Sequence, residues 1–392
     1  MEKDIELILI NISGEDRPGL TSALTEILAK YEANILDIGQ ADIHHTLSLG
    51  ILFKTNSGRS GDIMKELLFK ASELNVTIKF TPISVDDYGK WVGMQGRNRY
   101  VITTQGLNID AIQRLTGRMP LADIDDTDSK SKGCVEFSVR GTPSDYAKMQ
   151  SDFMNLANEL EFDISLQQDN MFRRCRRLIC FDMDSTLIET EVIDELAERA
   201  GVGEKVRAIT ARAMRGEIDF KESFKERVAL LKGLDESVMR EIAENLPITE
   251  GVPRLMKVLK RAGYKIGILS GGFTYFGNYL KHKFGIDYVY ANELEIENGK
   301  LTGRYLGEVV DGKRKAELLK LLAQVENVDI AQTIAVGDGA NDLPMITMAG
   351  LGIAFHAKPK VKQTARQSIS TIGIDGVLYF LGFKDSFIEP PR

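Results

Sequence analysis

Hydrophobic and polar positions along the chain alternate between strand-like and helix-like spacing from the start. The apolar-rich segment Glu6 to Ser13 predicts a strand. Asp16 to Tyr31 predicts a helix, with Asp16 as its N-cap and Pro18 in its first turn. Asn34 to His45 and Leu47 to Thr55 predict two paired strands, Asp62 to Leu74 has helical periodicity, and Val76 to Ile83 closes with a strand. This β-α-β-β-α-β order is ferredoxin-like. A weaker copy follows: strand Arg99 to Thr104, helix Ile109 to Arg118, strand Val135 to Arg140, helix Tyr146 to Leu160 and strand Phe162 to Gln167. Its second strand has no clear place in the acidic stretch Ala122 to Lys132. We expect a degenerate second domain of the same type, the alternative being a chance alternation of strands and helices.

Strand patterns then recur at Leu178 to Phe181, Lys265 to Leu269, Thr333 to Val336, Gly352 to Phe355 and Ser368 to Ile372, with helical patterns between them. That is the signature of an α/β fold with a doubly wound parallel sheet. Ile193 to Leu246 carries no strand signal and predicts a helical insertion after the first strand, while Asn298-Gly299 predicts a tight hairpin turn within Glu295 to Leu301. The expected domains are residues 1–90, 97–170 and 175–392, the last with a helical cap at about 193–247.

Composition limits what such a chain can do. Its 392 residues suggest two or three domains, and 43% hydrophobic with 27% charged residues suits a folded, soluble protein. A net charge of -7 argues against nucleic-acid binding, which needs a basic face. The cluster Arg173, Arg174, Arg176 and Arg177 is therefore read as a solvated linker leading into the following strand. Three cysteines without paired spacing point to a reducing compartment and no disulfide framework. No run approaches the roughly 20 apolar residues of a membrane span, and the N-terminal apolar run is too short and too interrupted by charge for a signal peptide, so no membrane association and a cytoplasmic location are expected. The four histidines show no ligand spacing, and Met345 and Met348 read as core residues.

Candidate chemistry collects at strand ends, where open α/β sheets place their sites. Asp182 and Asp184 straddle the turn Asp182-Met183-Asp184-Ser185-Thr186 after the first parallel strand. Two carboxylates so close need a proton or a cation between them, and Mg2+ with oxygen ligands suits a phosphate-handling site. One carboxylate can then act as nucleophile toward phosphorus and the other as general acid and base. Ser270-Gly271-Gly272, expected at a helix start, offers a hydroxyl and backbone N–H groups to phosphate oxygens. Lys315 could screen a phosphoryl group, although Lys313, Arg314 and Lys320 are equally basic neighbours. In Gly337-Asp338-Gly339-Ala340-Asn341-Asp342, Asp338 could complete a metal site, with Asn341 and Asp342 binding it through water or orienting Lys315.

These four elements, in this order over roughly the last 220 residues, resemble the motifs of the haloacid dehalogenase superfamily. The resemblance implies Asp182 as nucleophile, Asp184 as general acid and base, and Mg2+ held by Asp182, the main-chain carbonyl of Asp184, and Asp338. Within the superfamily the likeness is to the phosphoserine phosphatases, on Glu191 in DSTLIETEVIDELA and Arg227 in DFKESFKERVALLKG. It implies that Glu191 meets the substrate ammonium, that Arg227 clamps its carboxylate, and that Met214 and Phe220 shield the site. The loop Gly14-Glu15-Asp16-Arg17-Pro18-Gly19-Leu20 resembles the ligand loop of ACT domains, which implies an amino-acid effector such as serine held near Asp16 and Gly19, usually across a homodimer interface; dimerisation alone is the alternative. Thr104-Gln105-Gly106-Leu107-Asn108 of the second copy lacks that pattern. Two other activities stay open: phosphoryl transfer to an alcohol such as homoserine, and an amino-acid sensor with a vestigial phosphatase half.

Overall fold

The computed structural model describes residues 5–43, 46–94, 99–105, 122–127, 134–140, 143–365, 367–384 and 388. The helix expected over Ile109 to Arg118 lies outside the described residues, as do His44 and His45. The chain divides into two compact units, Met1–Gly96 and Arg97–Arg392.

The first unit runs β1 (Ile5–Glu15), α1 (Leu20–Lys30), β2 (Asn34–Ile43), β3 (Thr46–Asn56), α2 (Ser57–Glu73), β4 (Thr77–Ile83) and α3 (Val85–Met94). Its four strands form an antiparallel sheet in the order β2-β3-β1-β4. Ile8, Ile10 and Ile12 point to one face at the strand period of two, and there they pack with Leu20, Leu24 and Leu28 of α1 and Ile63 and Leu67 of α2. Asp16 is not the N-cap of α1. The helix starts at Leu20 behind Gly19, whose φ of 88° ends any helical run from the N-terminal side. Pro18 also disfavours the helical region for Arg17. In contrast α2 starts at Ser57, five residues before Asp62; burial of Ile63, Leu67 and Ala71 outweighs the poor helix propensity of Gly58 and Gly61. The helix α3, carrying Val85, Tyr88 and Trp91 at three-residue spacing, was not expected.

The second unit begins with β5 (Arg99–Gln105), β6 (Ala122–Thr127), β7 (Cys134–Arg140), α4 (Tyr146–Glu159) and β8 (Asp163–Gln168). The second strand of this copy thus falls in the acidic stretch. The antiparallel order β6-β7-β5-β8 repeats the order β2-β3-β1-β4 of the first unit.

The rest is a parallel α/β sheet. It contains β9 (Leu178–Phe181), α5 (Val192–Arg199), α6 (Gly203–Met214), α7 (Phe220–Ala229), α8 (Ser237–Glu244), α9 (Val252–Arg261), β10 (Lys265–Phe273), α10 (Thr274–Phe284), β11 (Tyr288–Glu297), β12 (Lys300–Leu306), α11 (Gly312–Val325), β13 (Thr333–Gly337), α12 (Leu343–Met348), β14 (Leu351–Phe355), α13 (Pro359–Thr364), β15 (Gln367–Ile369) and α14 (Val377–Phe380). The order is β12-β11-β10-β9-β13-β14-β15. All four residues of β9 are buried, and it pairs in parallel with β10 on one side and β13 on the other. The hairpin of β11 and β12 turns at Asn298 and Gly299, both at positive φ.

β15 also pairs antiparallel with β8, through Gln367 with Ser165 and Ser368 with Ile164, so the two sheets are continuous. This seam buries charge. Arg173 and Arg176, expected in solvent, are buried; Arg173 pairs with Glu136 at 2.7 Å, while Arg174 and Arg177 are exposed. Asp163 is buried too, accepting hydrogen bonds from Ser370 N (2.6 Å), Thr371 N (3.0 Å) and Thr371 Oγ1 (2.7 Å). Replacing Asp163 with Ala strands these donors, so Asp163→Ala should cost about 2–3 kcal/mol of stability in denaturant unfolding. A change under about 0.5 kcal/mol would mean that the seam does not depend on this carboxylate.

Candidate active site

The loop after β9 is wound tightly. Asp182 N still donates to Val336 O of β13 at 2.9 Å, and then the N–H groups of Thr186, Leu187 and Ile188 all converge on the Met183 carbonyl. Ser185 reverses the chain at a φ of 55°. Met183 and Leu187 anchor the turn in the core, which leaves Asp182 and Asp184 aimed away from it yet largely buried. The Asp182 Oδ1 accepts from Met183 N at 2.8 Å. The Asp184 Oδ1 accepts from Val192 N at 3.2 Å, so the first turn of α5 faces this carboxylate. A residue that sequence reasoning passed over, Thr186, is fully buried and donates its hydroxyl to Asp338 Oδ1 at 3.4 Å.

Ser270 and Gly271 do not sit at a helix start. β10 continues to Phe273 through an irregularity in its pairing with β11, and α10 begins at Thr274. The bend is braced by Asn292, also passed over, whose amide donates to the carbonyls of Gly271 (2.8 Å) and Gly272 (3.2 Å) and accepts from Val310 N (2.8 Å). Ser270 Oγ accepts from Gly272 N at 2.9 Å. A Cβ on Gly272 would lie 2.3 Å from Asp184 Oδ2, so only glycine lets this strand end approach the acid loop.

Lys315 reaches the same place from α11. Its Nζ lies 2.9 Å from Asp182 Oδ1 and 2.7 Å from Asp342 Oδ1, with no exposed surface. Its basic neighbours go elsewhere: Lys313 and Lys320 are exposed, and Arg314 pairs with Glu317 at 3.1 Å. Lys315 precedes Leu318, Leu319 and Leu322 by three, four and seven residues, so it shares their buried stripe. Asp342 Oδ2 accepts from Gly339 N at 3.0 Å, which engages both of its oxygens. Asn341 folds back over the turn; a Cβ on Gly339 would meet its Oδ1 at 2.2 Å.

The result is a crowd of negative charge around one ammonium. Asp182, Asp338 and Asp342 each offer a carboxylate oxygen, all within 4.8 Å of one another. Burial first, and then the neighbouring carboxylates, raise Asp338 to about 8 and Asp342 to about 7, with Lys315 opposing the rise at both. Burial and then Glu191 and Asp182 hold Asp184 well above the ordinary carboxylate range. For Lys315, burial opposes the charge, but Asp182 and Asp342 outweigh it and keep the ammonium protonated. Clustered carboxylate oxygens of this kind suit a hard divalent cation, so the residues fit Mg2+.

The helical segment between β9 and β10 supplies the remaining candidates. Glu191, at the start of α5, accepts from Ser185 Oγ at 2.9 Å. Arg227, in the last turn of α7, donates Nε to Ser223 O at 3.3 Å and forms no ion pair among the described residues. Desolvation lowers its pKa while Glu191, Asp194 and Asp184 oppose that shift. Phe220 lies over Gly271, where a Cβ would come within 3.0 Å of its ring. Met214, expected to shield the site, ends α6 with 70% of its surface exposed. Met348 is likewise exposed, whereas Met345 is core. In the first unit Asp16 and Gly19 are both exposed, in the turn between β1 and α1.

The parallel sheet with an acidic loop at the carboxyl end of its central strand agrees with the family model described as haloacid dehalogenase-like hydrolase, which matches residues 179–347; the ACT domain model matches residues 6–81. A phosphoserine phosphatase from Streptomyces coelicolor is 37% identical over 98% of this chain and 94% of its own. One from Archaeoglobus fulgidus is 48% identical over 64% of this chain and 74% of its own. The unliganded crystal structure of a probable phosphoserine phosphatase from Vibrio cholerae superposes with a TM-score of 0.60 at 39% identity, covering 72% of this chain and 86% of that one. The chain belongs to the phosphoserine phosphatase family. No described helix is long and apolar enough to cross a membrane.

Replacing Lys315 with Met leaves Asp182 and Asp342 buried without their cation. Lys315→Met should therefore lose about 3–5 kcal/mol in denaturant unfolding at neutral pH without divalent metal. A loss below about 1 kcal/mol would indicate a pair screened as at a surface.

Proposed function

We propose that this chain hydrolyses O-phospho-L-serine to serine and phosphate through a phosphoaspartyl intermediate on Asp182. The observation that carries the reading is the placement of Asp182 and Asp184 on one turn, with Lys315 and the Ser270 strand end closing around them. An Asp182 oxygen attacks phosphorus as the bond to the serine oxygen breaks, and Asp184 gives its proton to that oxygen. Asp184 then takes a proton from water as the water oxygen attacks phosphorus and the bond to Asp182 breaks, releasing phosphate. Lys315 and the hydroxyl and N–H groups at Ser270 and Gly271 face the transferring oxygens. Asp182, Asp338 and the main-chain carbonyl of Asp184 would hold Mg2+, which screens charge between nucleophile and phosphoryl group. Asp342 and Asn341 would support that site by binding the ion through water or by orienting Lys315, which Asp342 meets at 2.7 Å.

Glu191 and Arg227 read the amino acid, one meeting its ammonium and the other its carboxylate. Helices α5 to α8 form a cap that carries them, and Phe220 screens the phosphoryl end from water. We read β5 to β8 with α4 as a second, degenerate ACT-type domain, giving domains at 1–90, 97–170 and 175–392 with the cap at about 193–247. The exposed turn at Asp16 and Gly19 is the proposed effector site for an amino acid such as serine, in a homodimer.

Two substitutions test this. Asp182→Asn should lower kcat by at least about 10^4-fold at unchanged fold; near-normal phosphate release would remove Asp182 as nucleophile. Arg227→Ala should lower kcat/KM for phosphoserine by roughly 30–150-fold, equivalent to about 2–3 kcal/mol, while an ester without a carboxylate, such as phosphoethanolamine, changes little. Equal losses on both substrates would refute the clamp.

A further inference from the structure

The irregular end of β10 is held by one side chain. β10 and β11 pair in register as far as Leu269 with Tyr290, and pairing returns at Phe273 with Asn292. Between those pairs Ser270, Gly271 and Gly272 stand against Ala291 alone, so β10 carries a bulge. A bulge interrupts the ladder and leaves main-chain groups to find partners elsewhere. Asn292 supplies them: its Nδ2 donates to the carbonyls of Gly271 at 2.8 Å and Gly272 at 3.2 Å.

The same amide reaches a second segment. Its Oδ1 accepts from Val310 N at 2.8 Å. Val310 leads into Asp311, the N-cap of α11, whose Oδ1 accepts from Arg314 N at 2.8 Å. The carbonyl of Asp311 then accepts from Lys315 N at 2.9 Å, so Lys315 stands one turn from the cap. The two segments also pack directly, since a Cβ on Gly271 would lie 3.6 Å from Val310 O. Asn292 is only 1% exposed, and its oxygen and its nitrogen are both engaged. An amide alone offers two donors and an acceptor at this size; an ionised aspartate only accepts, and leucine does neither.

We propose that Asn292 is a positioning residue for phosphoryl transfer. It fixes the bulge of β10 against the start of α11, and so sets the Ser270 and Gly271 groups relative to Lys315. This holds on the reading proposed above, in which both face the transferring phosphoryl oxygens. Groups aimed at charge that develops during transfer must be in place beforehand, so the effect of Asn292 falls on kcat more than on KM. It acts at the phosphoryl end of the site, away from the amino-acid contacts of Glu191 and Arg227, and therefore bears on phosphate esters alike.

Asn292→Asp keeps the size and the acceptor for Val310 N but removes the two donors. Asn292→Ser is the second variant, with room for a water where the amide stood, in case the carboxylate prevents folding. Phosphate release is measured for both with phosphoserine and phosphoethanolamine, per folded molecule and well below each unfolding temperature. kcat should fall at least about tenfold on both substrates, and KM for phosphoserine should stay within about threefold. The ratio of kcat/KM between the two substrates should not change. A lowered unfolding temperature with kcat per folded molecule intact would make Asn292 purely structural and overturn the proposal. A loss confined to phosphoserine also overturns it, by placing Asn292 at the amino-acid end. Failure of the nucleophile reading would show separately, in Asp182→Asn, and leave the comparison of Asn292 with its variants untouched.

Discussion

The ammonium of Lys315 between Asp182 and Asp342 is the contact on which the catalytic end of the sheet depends. Three charged groups are held there out of water, where each charge is tolerated only because of the others. The geometry follows from that demand. Asp182 must stay at the tip of β9, Asp342 must face it from the turn after β13, and α11 must place one lysine between them. Even so, one ammonium does not neutralise Asp182, Asp338 and Asp342 together with Asp184, so repulsion among the carboxylates remains.

Rigid supports hold the crowd in place. β9 is paired on both sides, so its end is fixed by hydrogen bonds before any side chain of the site is considered. The Asn292 side chain ties the bent end of β10 to Val310, and Thr186 ties the acid loop to Asp338. They matter because a shift of about 1 Å in reacting groups can cost orders of magnitude in rate. The same logic bears on the seam between β15 and β8, where Asp163 binds the chain after β15 and Arg173 pairs with Glu136. The second antiparallel sheet is thereby continuous with the sheet that carries the acid loop.

Much of this was legible along the chain, and the misses share a cause. Asp182, Asp184 and Asp338 stand in short dense motifs at strand ends, where local sequence and chemistry coincide. Lys315 is separable from Lys313 and Arg314 by its place on the stripe of Leu318, Leu319 and Leu322, a signal that was there to be used. Met214 was expected to shield the site on the strength of the family resemblance, yet it ends a helix with most of its surface exposed. Arg173 and Arg176 looked solvated because arginine usually is, and their burial depends on a second sheet arriving from residues 99–168. The bent end of β10 read as a helix start because Ser-Gly-Gly suits both, and only the amide of Asn292, about twenty residues on, selects the strand.

By itself the sequence determined the α/β class, the succession of strands along the chain and the place of the acid loop at a strand end, because these rest on periodicity and on residues within a few positions of one another. The tertiary structure alone decided that Asp342 spends both oxygens on Lys315 and Gly339, that β8 joins β15, and that Arg173 and Arg176 are buried. Each of those outcomes depends on burial and on partners more than twenty residues away or on exact direction, and desolvation is a property of the assembled neighbourhood, which no single stretch of chain contains.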